Sequence, residues 1–329
     1  MCAVASTAPD PPPSEPGSVA ELGEFGLIAR VTAGRSLPPG ALIGPGDDAA
    51  VLSAADRRVV VTTDVLVEGV HFRLDWSTPH QVGRKSVAAS LADVAAMGAV
   101  PTALVVGLVV PGRTAVSTVD GLVAGMWEEA AQVGAGIVGG DVVSAAGLVV
   151  SVTAVGDLQG RAPVTRSGAR AGDVLGLCGA LGASAAGLAV LRRGFRSPLA
   201  VVGAHRAPKP PYAAGPQAAA AGATAMIDIS DGLLADAGHL AEASGVGIDI
   251  ESRALPITTR LVEVAAALGA DAQHWVLTGG EDHALLACFP AEAPLPHGWT
   301  RLGVAQEGCG VTVDGRAYEA HSPGWQHFS

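Results

Sequence analysis

Hydrophobic and polar positions alternate between two periods along this chain. Residues 59–63 run Val-Val-Val-Thr-Thr, β-branched throughout, which predicts a strand. Polar groups begin at Asp64, where the strand is expected to leave the sheet, and Glu68 and His71 follow in one short loop. Apolar runs at 103–110 and 148–155 read as buried strands, being far shorter than the ~20 residues a membrane span needs. Helical spacing predicts a helix over 21–33, with Leu22, Phe25, Ile28 and Ala29 on one face. It predicts another over 79–98, with Val87, Leu91, Val94 and Ala95 as the apolar stripe and Gly98 as its stop. A third is expected over 117–133, where Ser117 and Asp120 have capping-box spacing.

The second half repeats the alternation. Residues 173–178 predict a strand and 183–193 a helix of small residues; 206–211 (RAPKPP) is an extended connector. Residues 225–229 read as a strand ending in Asp228-Ile229-Ser230-Asp231-Gly232. A helix with Leu233, Leu234, Ala237, Leu240 and Ala241 on its stripe follows, ended by Gly245. Ser230 is placed as its N-cap and Asp231 in its first turn. Val276–Asp282 (VLTGGED) reads as a strand running into a double-glycine acidic turn, like Ile137–Asp141 (IVGGD) earlier. His283–Phe289 returns as a strand.

Composition adds an α/β class: 49% of the 329 residues are hydrophobic, mostly small, with 4% aromatics and 44 glycines. The composition shift at 159–170 predicts two domains, 19–160 and 161–329, behind a Pro-rich disordered arm at 1–18. A net charge of −11 and only two lysines, Lys85 and Lys209, argue against a nucleic-acid partner. The four cysteines lack CxxC spacing. No basic-then-apolar leader opens the chain, so a cytoplasmic, non-membrane protein is expected.

Six acidic corners remain: Asp47/Asp48, Asp64, Asp93, Asp141, Asp228/Asp231 and Glu281/Asp282. Asp93 shares a helix face with Ser86 and Ser90 and either is solvated or points into a polar site. If the corners converge they need counter-charge, because two like charges ~4 Å apart repel by about 4 kcal/mol at an effective dielectric of ~20. Oxygen-only ligands favour Mg²⁺ or Ca²⁺. The Gly139-Gly140 and Gly279-Gly280 turns suit phosphate oxygens, and Arg166 offers a planar cation. No Walker lysine is present, since neither lysine has P-loop spacing.

Taken in order, GEFGLIAR, GDDAAVL, TTDVLVEGVHF, LADVAAMGA, GGD, TRSGA, DISDGL and LTGGED closely resemble the thiamine-monophosphate kinase family. That family sits in the superfamily of aminoimidazole-ribonucleotide synthetase and selenophosphate synthetase. The resemblance implies two α/β domains, the N-terminal sheets of two subunits forming a barrel across a homodimer. It implies transfer of the ATP γ-phosphoryl group to thiamine monophosphate with several Mg²⁺ ions. The implied metal ligands are Asp48, Thr62, Thr63, Asp64, Asp93, Asp141, Asp228 and Asp231. ATP is expected at Gly140, Asp141, Arg166 and Ser230, and the acceptor at His71, Glu281 and Trp325. The acceptor is a phosphate oxygen, largely ionised near neutral pH because a phosphomonoester's second pKa is about 6. No general base is therefore required, and the sequence singles out no His–carboxylate catalytic pair. The chain departs from the family at His283-Ala284, where Tyr and Glu are usual, and at Val142, where Thr is usual.

Overall fold

The computed structural model describes residues 17–45, 49–318 and 324. Asp47, Asp48, Trp325 and the arm before residue 17 lie outside the described residues.

The first half builds one sheet and its helical cover. Helices α1 (Val19–Leu22) and α2 (Glu24–Thr32) are followed by a hairpin of β1 (Ala41–Ile43) and β2 (Val51–Leu52). Next come β3 (Val60–Val67), α3 (Pro79–Ala96), β4 (Val100–Val109), α4 (Val116–Ala131), β5 (Gly136–Val143) and β6 (Val149–Asp157). The sheet order is β3-β6-β4-β5, antiparallel except for the β4–β5 pair. Helices α3 and α4 cover one face. They cross closely because Gly83 and Gly125 lack side chains: a Cβ at either would strike a backbone carbonyl of the other helix, Leu122 or His80. On the uncovered face Val61, Val65 and Val105 stand exposed.

α3 is the best-specified helix. Thr78 and Gln81 form a reciprocal capping box, Pro79 occupies the first turn, and Gly98 turns left-handed after the end. Its predicted stripe, Val87, Leu91, Val94 and Ala95, is fully buried.

The second half holds a six-stranded sheet of order β12-β9-β11-β7-β10-β8. Its strands are β7 (Val174–Cys178), β8 (Ala225–Ile229), β9 (Gly247–Ile250), β10 (Ala284–Phe289), β11 (Thr300–Gln306) and β12 (Gly310–Val313). Helices α5 (Ala183–Arg192), α6 (Leu199–Arg206), α7 (Ala214–Ala220), α8 (Leu233–Ser244), α9 (Thr259–Leu268) and α10 (Ala272–Thr278) complete it. The halves share a small core in which Ala96 and Val164 meet Ala214, Ala218 and Met226. Tyr212, from the proline-rich connector, is buried in the core of the first half.

Several local expectations change. The helix over 21–33 breaks at Gly23, whose φ of 74° is left-handed. β3 continues through Asp64 to Val67 because β6 pairs with it along that whole length. Ser117 does not cap α4: Ala115 does, without a side-chain bond, and Asp120 pairs with Arg30 at 2.8 Å instead. Asp141 lies within β5, not in a turn. Val276–Thr278 belong to α10, so VLTGGED opens in a helix. Ser230 and Asp231 precede α8, whose N-cap is Gly232. The Asp236 carboxylate accepts from the amides of Asp231 and Gly232 at 3.0 Å each, doing the satisfying expected of Ser230.

Candidate active site

Strand alternation in β3 divides the Thr62-Thr63-Asp64 triplet. Thr62 and Asp64 face α3, and Thr63 faces the open side of the sheet. Thr62 Oγ1 donates to Asp93 Oδ2 at 2.7 Å. Ser90 Oγ, nearly one turn earlier on α3, donates to Asp64 Oδ2 at 2.7 Å. The polar face of α3 is thus turned inward onto β3. From the other sheet Asp228, buried near the end of β8, joins this group.

The electrostatics show how closely these acids gather. Burial, then the charges of Asp228 and Asp64, push the Asp93 carboxyl up to about 7, against the Thr62 hydrogen bond. Burial raises Asp64 too, opposed by its Ser90 hydrogen bond and by His283, and Asp228 adds to the rise. His283 Nδ1 sits 3.2 Å from Asp228 Oδ2. Burial works against an imidazolium there, but the Asp228 bond and the surrounding carboxylates carry it above the ordinary histidine value. The structure therefore contains a buried His–carboxylate pair that the sequence reading did not foresee, at one of the family-departing positions. Beside it, burial first and Asp228 second push Asp236 up to about 7. Asp231, Asp236 and His239 bring ligand atoms within 4.8 Å of one another.

A cleft of about 570 Å³ opens over these groups. Thr62, Asp93 and Asp228 lie on its floor side with Arg166 on the wall, and Met97, Leu158, Pro163 and Met226 add apolar surface. Its volume and mixed lining suit a ligand of nucleotide size. Arg166 is exposed at the junction of the two halves, its carbonyl accepting from Ser244 Oγ at 2.8 Å.

His71 and Glu281 lie near this group, close enough for His71 to act on Asp64 and Glu281 on His283. The His71 ring nitrogen Nδ1 accepts from the Val67 amide at 3.0 Å. An amide only donates, so Nδ1 carries no proton and the neutral ring holds its proton on Nε2. Glu281 stands in a left-handed conformation, φ 64°, with its amide donating to the Ser230 carbonyl at 2.7 Å. That bond ties the GGED loop to the DISDG loop. Burial works to raise the Glu281 carboxyl, but Lys85 and His205 hold it below the usual carboxylate value.

Two expected ligands lie elsewhere in the chain. Thr63 Oγ1 accepts from Thr153 on the open face. Asp141 lies on β5, at the opposite edge of the sheet from β3. Three strand spacings put them roughly 14 Å apart. Gly140 has a packing reason of its own, since a Cβ there would collide with the Val106 carbonyl of β4. Ser90, Lys85, Asp236, His205 and His283 are site residues that sequence reasoning missed. Ser90 shares its face with Asp93, Lys85 is one of two lysines and His283 departs from the family pattern, whereas Asp236 and His205 carried no signal.

Comparison with known proteins follows the same lines. The family described as AIR synthase related protein, N-terminal domain, matches residues 46–158, and its C-terminal domain matches residues 170–314. Thiamine-monophosphate kinase of Mycobacterium tuberculosis is 54% identical over 317 residues, 96% of this chain and 94% of the relative. That of Corynebacterium glutamicum is 44% identical over 326 residues, 94% and 95% of the two chains. The solved structure of AaThiL complexed with AMPPCP and TMP aligns with a TM-score of 0.78 at 35% identity, covering 96% of this chain and 100% of that one. On fold, motifs and relatives together, this chain belongs to the thiamine-monophosphate kinase family of AIR synthase related proteins.

Proposed function

We propose that this protein transfers the γ-phosphoryl group of ATP to thiamine monophosphate, giving thiamine diphosphate and ADP. The observation that carries the reading is the gathering of Thr62, Asp64, Asp93 and Asp228 between an Arg166-lined cleft and the His71–Glu281 loops. The relatives' names and the AaThiL complex support the choice of both substrates.

The donor set fits Mg²⁺. It is all oxygen, and burial together with the neighbouring Asp228 and Asp64 charges pushes the Asp93 carboxyl up to about 7, an environment that a cation would relieve. We assign Asp48, Thr62, Thr63, Asp64, Asp93, Asp141, Asp228 and Asp231 to several such ions. When bound, the cations neutralise the phosphate charges that would otherwise hold donor and acceptor apart. The chain's own residues supply position. Arg166, Ser230 and Gly140 hold the nucleotide, while His71, Glu281 and Trp325 hold the acceptor. In this reading His71 stands beside the acceptor phosphate, and the Glu281 carboxylate offers charge to the cationic thiamine ring. No side chain has to remove a proton, because the attacking phosphate oxygen is already largely ionised near neutral pH.

Thr63 and Asp141 serve one centre only if a second copy brings them together, which favours a homodimer. The exposed Val61, Val65 and Val105 on the open sheet face suit such pairing. Residues 19–160 would then supply the dimer contact and most of the metal site, and 161–329 would complete it. A cytoplasmic setting accords with the free thiols of Cys178 and Cys288; among the described residues no helix is long and apolar enough to cross a membrane.

A product assay tests the proposal. With ATP, Mg²⁺ and thiamine monophosphate, thiamine diphosphate and ADP are expected in equal amounts. ADP without the diphosphate would overturn it.

A further inference from the structure

Lys85 is one of two lysines in the chain and is only 3% exposed. It stands on α3, two turns before Asp93. Its ammonium donates to the His71 carbonyl at 2.9 Å and lies 3.0 Å from both carboxylate oxygens of Glu281. An ammonium has three protons, and three acceptors surround this one. The contact bridges opposite halves of the chain, Glu281 lying 196 residues from Lys85.

A buried ion pair is weak as a source of stability, since apolar residues of equal volume commonly do as well. What it fixes is geometry. The Glu281 loop is already held against its preferences: Glu281 and His283 both have positive φ, 64° and 54°. Their amides bond the Ser230 and Ile229 carbonyls at 2.7 and 2.9 Å. Backbone of this kind persists where its surroundings over-determine it. Behind Glu281, His205 Nδ1 approaches at 3.4 Å and also meets Ser184 Oγ at 3.1 Å. The carboxylate is gripped from its own half by His205 and from the other half by Lys85.

We infer that Lys85 is a positioning residue for the acceptor, setting the spacing between the His71 loop and Glu281 across the junction of the two halves. This rests on the acceptor reading given above. Lys85 does not line the Arg166 cleft, so its loss is expected to act on one substrate only.

The test measures thiamine monophosphate binding by calorimetry, and both KM values by steady-state kinetics, in wild type, Lys85→Met and Lys85→Arg. Lys85→Met is expected to raise the KM for thiamine monophosphate at least about tenfold while the KM for ATP stays within about twofold. Lys85→Arg keeps the charge but displaces the donors and is expected to fall between. It carries the test alone if Lys85→Met does not fold. In a double-mutant cycle with Glu281→Gln, the joint effect should be well below the product of the single ones. Lower melting temperature with both KM values unchanged, or equal rises in both, would overturn the inference. Wild-type protein that binds no thiamine monophosphate would bring down the functional reading and this inference with it. Undiminished binding in both Lys85 variants would bring down the inference alone.

Discussion

Replacing Asp93 by Asn should make the metal-free protein more stable and the enzyme nearly inactive. Asp93 is raised from 3.8 to about 7 by burial and by the charges of Asp228 and Asp64. At roughly 1.4 kcal/mol per pH unit, holding it ionised at pH 8 without a cation costs the folded state up to about 4 kcal/mol. Its folded pKa lies above its unfolded one. The protonated form therefore contributes stability that is full below about pH 4 and lost as pH rises through 7. The Asn side chain removes the charge but keeps an oxygen to accept from Thr62 Oγ1, so the contact at 2.7 Å has a successor.

Melting in chelator at pH 8 is the direct assay. Asp93→Asn should exceed wild type by about 2–4 kcal/mol, several degrees in Tm, and the gap should close toward pH 4. Excess Mg²⁺ should then reverse the order, stabilising wild type far more than the variant. The variant's kcat should fall by about a hundredfold or more. A variant no more stable than wild type in chelator at pH 8 would refute the claim that burial and the neighbouring carboxylates penalise an ionised Asp93. Wild-type kcat would refute their role in the reaction.

Two further outcomes follow from buried polar groups. Burial, aided by the Lys85 charge, holds His205 down to about 3. Its folded pKa is below the unfolded one, so it contributes stability present above about 6.5 and lost as pH falls toward 3; urea titrations of His205→Gln should show a shallower acid loss than wild type. Tyr212 OH donates to Glu129 Oε1 at 2.6 Å, and Glu129 is fully buried with Arg84 on its other oxygen. Tyr212→Phe leaves that oxygen unpaired and should cost about 1–3 kcal/mol in urea unfolding with kcat unchanged.

The readable part of this fold was its periodicity. β-branched runs gave strands, and the α3 stripe gave its buried face without error, because side-chain alternation is set by backbone geometry alone. The same rule separates Thr63 from Thr62 and Asp64, since neighbours in a strand point opposite ways. What could not be read were effects of other parts of the chain. β3 runs past Asp64 because β6 pairs there, and Ser230 yields its capping task to Asp236, which reaches back from α8. Helix α6 was missed between proline-flanked segments, and Lys85, His205 and His283 gained their meaning only from partners far away in sequence.

Those partners also explain why the Glu281 loop and the Asp64–Asp93 group are built differently. Glu281 has a resident cation: Lys85 lies 3.0 Å from its carboxylate and helps hold it ionised. Among the described residues, Asp64 and Asp93 receive hydroxyl hydrogen bonds, from Ser90 and Thr62, and the nearby His283 is engaged by Asp228. Burial first, with neighbouring carboxylates adding to it, pushes both carboxyls upward, and their hydroxyl hydrogen bonds only partly offset it, whereas at Glu281 Lys85 and the neighbouring histidines together outweigh burial. A fold that neutralised all of them permanently would have no affinity left for Mg²⁺. Leaving Asp64 and Asp93 short of positive charge is the physical condition for an exchangeable cation to bind there, and it locates the cost of metal-free folding at Asp93.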